Sequence, residues 1–538
     1  MINFRCSVRS PGILGLVVFG AAAMLSGCGS RPISVDTQSS KATDDVPRQG
    51  KQTARFVGVQ SCAASNCHGG YRGDGIFTCE YSVWREQDKH AKAYEFLFSD
   101  LSVQIAERLW GDTKQAHEAA ECLNCHSPQS PLITPAFEGR NEVVELAPLV
   151  KPVSTDGVAC EACHGSAEKW LTEHVQPGWR ESWERKAAIE KKAYGYLNTR
   201  DIAERANVCV QCHVGGPGRD VNHDLIAAGH PRLFFELNAF QEMMPVHWRE
   251  AEERKYHSDA KDPKTRVPRQ HAEVAKPEAP VRSHVKIKLW AVGQVVAFDA
   301  ALAVLEKHTA PPKQHAAQPN GVTPRPADWP ELSGYGCFAC HHQLAQPDWR
   351  QQRGFAGRHP GDWTWSTWQT PMLPKLSSLT KGPDFVTPGS SFQKLSAEMR
   401  RPVPDRAVVR GLAQLVRVQL RPWIQSLNND PTHYTAAKAR TWWDSYLGAE
   451  QQFGESDWDS ATQFYLAISA LNQGRLDLEI KAGAPPPKDA EDIERSLDSI
   501  FKRLDSPSRY DSPHVGPVSP LDSLRNDVST IRKSLGSQ

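Results

Sequence analysis

Five times in this chain a pair of cysteines runs directly into a histidine: Cys62 and Cys67 before His68, Cys122 and Cys125 before His126, Cys160 and Cys163 before His164, Cys209 and Cys212 before His213, and Cys337 and Cys340 before His341. Two thiols and an imidazole at that spacing can hold a porphyrin. Cysteines three apart lie on one side of a helical turn and reach the two vinyl carbons of one ring, while the next residue offers its imidazole to the iron. Four of the sites have the C-x-x-C-H spacing of c-type haem attachment, and the first is a variant with two extra residues between its cysteines. With 13 Cys and 20 His in 538 residues, composition alone would place only about 0.01 such pentapeptides in the chain. Zinc is the competing ligand chemistry, but a zinc site asks for a second cysteine pair or spaced histidines, not for a histidine directly after every pair. The expectation is five covalently bound haems c with His68, His126, His164, His213 and His341 as proximal ligands.

Haem is attached to c-type cytochromes outside the cytoplasmic membrane, so such a chain must be exported. Arg5 and Arg9 precede an apolar run from Ile13 to Met24, followed by Leu25-Ser26-Gly27-Cys28. This reads as a signal peptide with a lipobox, the run being too short to span a bilayer and the small residues suiting cleavage before an acylated Cys28. The mature protein is expected on the periplasmic side of a bacterial membrane, held there by lipid. Ten cysteines then belong to haems, Cys6 leaves with the signal peptide and Cys28 is lipidated, so Cys79 alone is left over, and we expect it to be buried. The balance of 63 basic against 62 acidic residues gives no sign of nucleic-acid binding.

The elements that position these groups are expected to be helices and loops. After the signal segment (1–28), residues 29–55 read as a polar tether. Four motifs crowd into a tetrahaem domain, residues 56–245, and chains that wrap haems so densely have no room for large sheets. A charged loop (246–283) precedes a helix at 284–309, where Val285, Leu289, Val292, Val296, Ala300 and Ala303 recur as a buried stripe. A Pro-rich linker (310–331) leads to the fifth-haem segment (332–389) with Trp363, Trp365 and Trp368, which we read as packing for that haem or for the domain junction. Periodic stretches at 405–427, 434–453, 457–473 and 489–504 predict a helical C-terminal region over 390–538. The fold class is therefore mainly α, a multihaem cytochrome wrapped around a haem stack with a helical extension.

Several stretches resemble the cytochrome c-554 family: Trp84-x5-His90-Ala-x-Ala, Gly157-Val-Ala-Cys-Glu-Ala-Cys-His-Gly165, and Asn222-His-Asp-Leu-Ile-Ala-Ala-Gly-His-Pro-Arg232. The resemblance covers roughly residues 56–235. It implies that histidines in these stretches supply second axial ligands in a closely packed helical arrangement, and that the protein passes electrons between periplasmic redox partners. The residues themselves point the same way: His90, His174, His223 and His230 stand out as distal ligands. His223 and His230, seven residues apart, would span about 10 Å in a helix and so serve two different irons. One haem then lacks an evident partner, with His117 and His284 in reserve. His342 sits beside a proximal ligand, and His247, His257, His271, His308, His315 and His359 lie in polar or Pro-rich context and read as solvated.

A haem with two axial histidines has no open position and moves electrons, whereas one with a single protein ligand can bind small molecules. The leading expectation is a lipid-anchored electron relay between redox partner proteins. The alternative is an oxidoreductase acting on a small nitrogen or sulfur compound at one five-coordinate haem.

Overall fold

In the computed structural model, which describes residues 55–70, 79–128, 155–186, 194–216, 218–248, 285–310, 329–337, 340–341, 363–449, 458–481, 490–504 and 526–533, regular structure is helical. Extended pairing among the described residues is limited to isolated bridges, Gly216 with Arg219 and Tyr335 with Trp365. The expected lipobox at Cys28, most of the tether, charged loop and Pro-rich linker, and His257, His271, His284, His315, His342 and His359 lie outside the described residues.

The haem-motif half carries short helices: α1 Glu80–Gln87, α2 Asp100–Trp110, α3 Ala120–His126, α4 Cys160–His164, α5 Trp179–Arg185, α6 Ile202–His213, α7 His223–Ala227 and α8 Leu237–Met243. The rest carries longer ones: α9 Val285–His308, α10 Leu373–Thr380, α11 Ser391–Met399, α12 Arg406–Asn429, α13 Ala436–Leu447, α14 Trp458–Lys481 and α15 Ala490–Leu504. Their starts are written in the sequence as side-chain caps. Ser99, Asp201, Asn222, Ser390, Asp405 and Thr435 each accept from a backbone N–H two or three residues into the helix that follows, satisfying donors that a helix start leaves orphaned.

The α9 helix is the axle of the molecule. The expected stripe is present, with Val285, Leu289, Val292, Val296 and Ala300 buried, but Trp290, Ala291, Val295 and Phe298 on its other faces are buried as well. The reason is that α6, α8, α12 and α14 all pack against it; toward its C-terminal end Ala303, the last residue of the stripe, is only half-buried and Lys307 is exposed. It is long and apolar enough to cross a membrane, yet 72% of its most apolar stretch is buried within the protein; a helix apolar all round is equally the mark of a core helix. Two polar arrangements survive in this core because they are paired. Gln294 donates to Gln463 at 3.0 Å, and the Arg417 guanidinium reaches both Asp299 and Glu306 at 2.9 Å.

The C-terminal helices close on α9 through a single continuous core that runs from Ile202 on α6 to Ile531. The predicted helix at 457–473 continues to Lys481, and that at 434–453 is shorter, ending at Leu447. Of the tryptophan cluster, Trp368 donates to the Phe235 carbonyl at 2.9 Å and packs on Phe234 and Trp458, while Trp363 lies edge-on to Tyr335. The cluster thus stitches the segment before α8 to the C-terminal helices.

Candidate functional site

Each cysteine motif occupies a turn of helix, as its geometry requires. Cys122–His126 closes α3, Cys160–His164 is the whole of α4, and Cys209–His213 is the last turn of α6. In the fifth motif His341 N–H donates to the Cys337 carbonyl at 2.8 Å, which is one helical turn. The wider first motif splits its cysteines between two turns: Cys62 ends a 3₁₀ turn, and Cys67 and Gly69 both donate to the Ala64 carbonyl at 2.9 Å.

The third motif is bounded by glycines that the backbone demands. Gly165 ends α4 at φ 83°, where a Cβ would fall 1.9 Å from the Gly195 carbonyl oxygen; at Gly157, φ 67°, it would meet the His90 carbonyl oxygen at 2.5 Å. The tight approach at Gly157 docks this motif on the His90 turn, where Val158 N–H donates to the His90 carbonyl at 2.9 Å and the Trp84 indole donates to the Val158 carbonyl at 3.0 Å. Within the motif, buried Glu161 accepts from the backbone N–H groups of Val57, Gly58 and Ala167 at 2.8–3.0 Å. It ties the chain before the first motif to the third.

The histidines are distinguished by which ring nitrogen is occupied. Nδ1 of His68 faces the Glu80 carboxylate at 3.1 Å and Nδ1 of His90 the Asp88 carboxylate at 2.9 Å. Nδ1 of His126, His174 and His230 faces the carbonyl of Ala93, Leu171 and Pro231 at 2.9, 2.6 and 2.8 Å. A carboxylate or carbonyl oxygen only accepts, so Nδ1 carries the proton and the Nε2 lone pair remains for a metal, the usual arrangement around a ligating histidine. His308 and His433 are wired the other way, with Nε2 against Asp220 at 2.5 Å and against the Ser426 hydroxyl at 3.1 Å. His308 is therefore a paired structural histidine, not a solvated one.

Three motif histidines face a second imidazole at a telling distance. Ring centres lie 6.4 Å apart for His68 and His174, 6.0 Å for His90 and His213, and 6.3 Å for His223 and His341. A metal–imidazole bond is about 2.0 Å, so two imidazoles on opposite faces of one iron have ring centres about 6.3 Å apart. His230 lies within charge reach of His126. His223 thus lies beside the fifth motif and His230 near the second. His117 stacks on Phe98 at 4.5 Å.

Burial pushes the His213 imidazole down to about 3, helped by like charge on His90 and His126, and pushes His164 down to about 4, helped by His247 and His68. Both are neutral at ordinary pH, the form that ligates. The Glu80 hydrogen bond raises His68 against the opposing pull of burial. Burial also works to lower His90, but the Asp88 hydrogen bond and charge outweigh it and the net shift is upward. The thiols of different motifs adjoin: Cys62 meets Cys160, Cys125 meets Cys212, and Cys163 is within charge reach of Cys209 and Cys212. Cys79, which among the described cysteines stands outside the motifs, is fully buried. His247, like His308, is expected from its sequence context to be solvated and is not. It is half-buried, its Nδ1 faces the Pro245 carbonyl at 3.3 Å, and it lies among Asp88, Glu80 and His90.

The donor set fits haem. Among the described residues no three His, Cys, Asp or Glu side chains converge on one point as a zinc site would need. Apolar side chains in the motif half stand open beside the histidines, Phe96 at 51% and Phe98 at 54% exposure, as surfaces a porphyrin would cover. Two stretches, residues 61–165 and 159–229, match the family model described as Cytochrome c554 and c-prime. They hold the first four motifs and His90, His174 and His223; His230 and the fifth motif lie beyond them. No curated protein and no solved structure matches the chain. The family match carries covalently bound haem c and an electron-transfer role.

Proposed function

We propose that the chain, whose residues 61–165 and 159–229 match the cytochrome c554 family model, is a membrane-anchored periplasmic relay of five haems that takes electrons from one redox protein and delivers them to another. The observation that carries this reading is the set of imidazole pairs at 6.0–6.4 Å, with Nε2 left available on His68, His90 and His174. Two axial imidazoles saturate an iron, and a haem so held exchanges electrons with little change of geometry. In this reading Cys62/Cys67, Cys122/Cys125, Cys160/Cys163, Cys209/Cys212 and Cys337/Cys340 anchor the porphyrins. The axial pairs are His68 with His174, His213 with His90, His341 with His223, and His126 with His230.

The adjoining thiols support an order of passage that differs from the order in the chain. Cys62 beside Cys160 puts the first motif next to the third, Cys163 near Cys209 puts the third next to the fourth, and Cys212 beside Cys125 puts the fourth next to the second. The short chain from His223 to His230 joins the second motif to the fifth. Anchoring rests on Cys28 at the end of Leu25-Ser26-Gly27. The partners are redox proteins on the same side of the membrane.

A pyridine haemochrome assay with intact mass, followed by electron paramagnetic resonance of the oxidised protein, tests the reading. The expected result is five haems and low-spin ferric signals only. A high-spin signal that moves with nitrite, hydroxylamine or nitric oxide would transfer the protein to the oxidoreductase reading, and two haems or fewer would end the relay.

A further inference from the structure

His164, the proximal histidine of the third motif, also needs a partner, and the chain beyond the family match supplies one. After α8 ends at Met243 the backbone runs Met244-Pro245-Val246-His247-Trp248 back toward the third motif. His247 carries the same wiring as the other ligating histidines: its Nδ1–H donates to a carbonyl, that of Pro245 at 3.3 Å, which leaves the Nε2 lone pair available. His433 and His308, which serve structure, have Nε2 engaged instead.

The placement of His247 is shared with His164 through one arginine. The Trp248 ring lies edge-on to His247 at 5.1 Å, and the Arg205 guanidinium sits 5.7 Å from the centre of that indole. Arg205 donates to the Thr199 carbonyl at 2.7 Å and to Gln241 at 3.0 Å, and the Thr199 hydroxyl lies 3.5 Å from His164 Nδ1. Arg205 is buried, 9% exposed, so this scaffold is fixed on both sides. The two imidazoles also lie within each other's charge reach. We propose that His247 is the second axial ligand of the haem at Cys160 and Cys163, opposite His164. This rests on the reading that the third motif carries a haem, and it supplies the one axial partner that the pairs above leave out.

The test uses the full-length haem-loaded protein with His247→Gly and His247→Met. In the glycine variant the haem count stays unchanged, one low-spin ferric signal converts to high-spin, and added imidazole restores it to low-spin. In the methionine variant that haem stays low-spin and its potential alone moves upward, since a thioether ligand favours the ferrous state. If both variants keep every low-spin signal and every potential, His247 is not a ligand and the proposal is overturned. The haem count of the double variant Cys160→Ser/Cys163→Ser separates this from failure of the underlying reading: loss of one haem keeps the third site, and an unchanged count removes it.

Discussion

The two halves of this chain solve the burial problem differently. From α9 onward the helices share one continuous apolar core that takes in Trp290, Phe298, Leu302, Trp423, Trp442, Trp443 and Tyr446. Around the first three motifs the buried apolar side chains break into clusters of three or four, such as Leu97, Ala106, Ala116 and Leu123, or Ala162, Leu197 and Val208. Three of these clusters have motif cysteines at their margin: Cys122 beside the first, Cys163 and Cys212 beside the second, Cys160 beside that of Val59 and Trp84. Clusters this small cannot offset the conformational entropy of ordering so many residues. In one half side chains make the core; in the other they line it, and porphyrin is the filling.

The largest expected effect follows directly. With all ten motif cysteines changed to serine, the segment before residue 200 should lose its fold, while the α9–α15 bundle keeps its helicity. Limited proteolysis with mass spectrometry would show a resistant C-terminal fragment and a digested N-terminal one. Equal resistance across the whole chain would mean that the small clusters suffice and that the two halves do not differ in this way.

The converse experiment strikes the C-terminal core and leaves haem alone. Arg417 is 8% exposed and is held in its charged form because Asp299 and Glu306 more than outweigh the cost of burying it. Arg417→Ala leaves two carboxylates facing each other in that core without their cation, a change that costs about 3–5 kcal/mol. Chemical denaturation should report that loss for the C-terminal transition, with the haem spectra of the folded protein unchanged. A shift in the haem spectra would show that the two regions are coupled more tightly than their separate cores imply.

How much of this the sequence disclosed depends on the kind of constraint. Covalent spacing is local, so the five motifs of two cysteines and a histidine are read directly. His223 and His230 are legible as candidates because they bracket a short apolar turn, but which motif each lies beside is a tertiary fact, set by where His341 and the His126 region return. His247 carries no local mark at all: it follows a Met-Met-Pro stretch, and only the return of the chain to His164 makes it a candidate. The α9 helix reads as a stripe because periodicity shows the strongest face, while the burial of Trp290, Ala291, Val295 and Phe298 on its other faces comes from neighbours that no pattern within the helix specifies. Glu161 is hidden for a related reason, since a glutamate between two cysteines looks solvated until three distant N–H groups are found pointing at it.

The smallest effect lies at the joint between the halves. Glu236 caps α8 by accepting from Asn238 and Ala239 N–H at 2.9 and 2.8 Å, and α8 packs on α9. Burial raises its carboxyl to about 7 in spite of those two hydrogen bonds. A raised acid is protonated in the folded protein after the unfolded chain has already released its proton, so its contribution to stability is full below pH 4.5 and is lost as pH rises to 7. The loss amounts to about 3 kcal/mol and is constant above that. Glu236→Gln keeps an acceptor for the cap and removes the proton. The variant should match the parent at pH 4.5 and exceed it at pH 8 in denaturant midpoint, the difference between the two proteins cancelling every other titrating group. A difference that does not change with pH would place the Glu236 carboxylate in a more polar setting than its 3% exposure implies, and would make the joint part of the haem-lined half, not of the side-chain core.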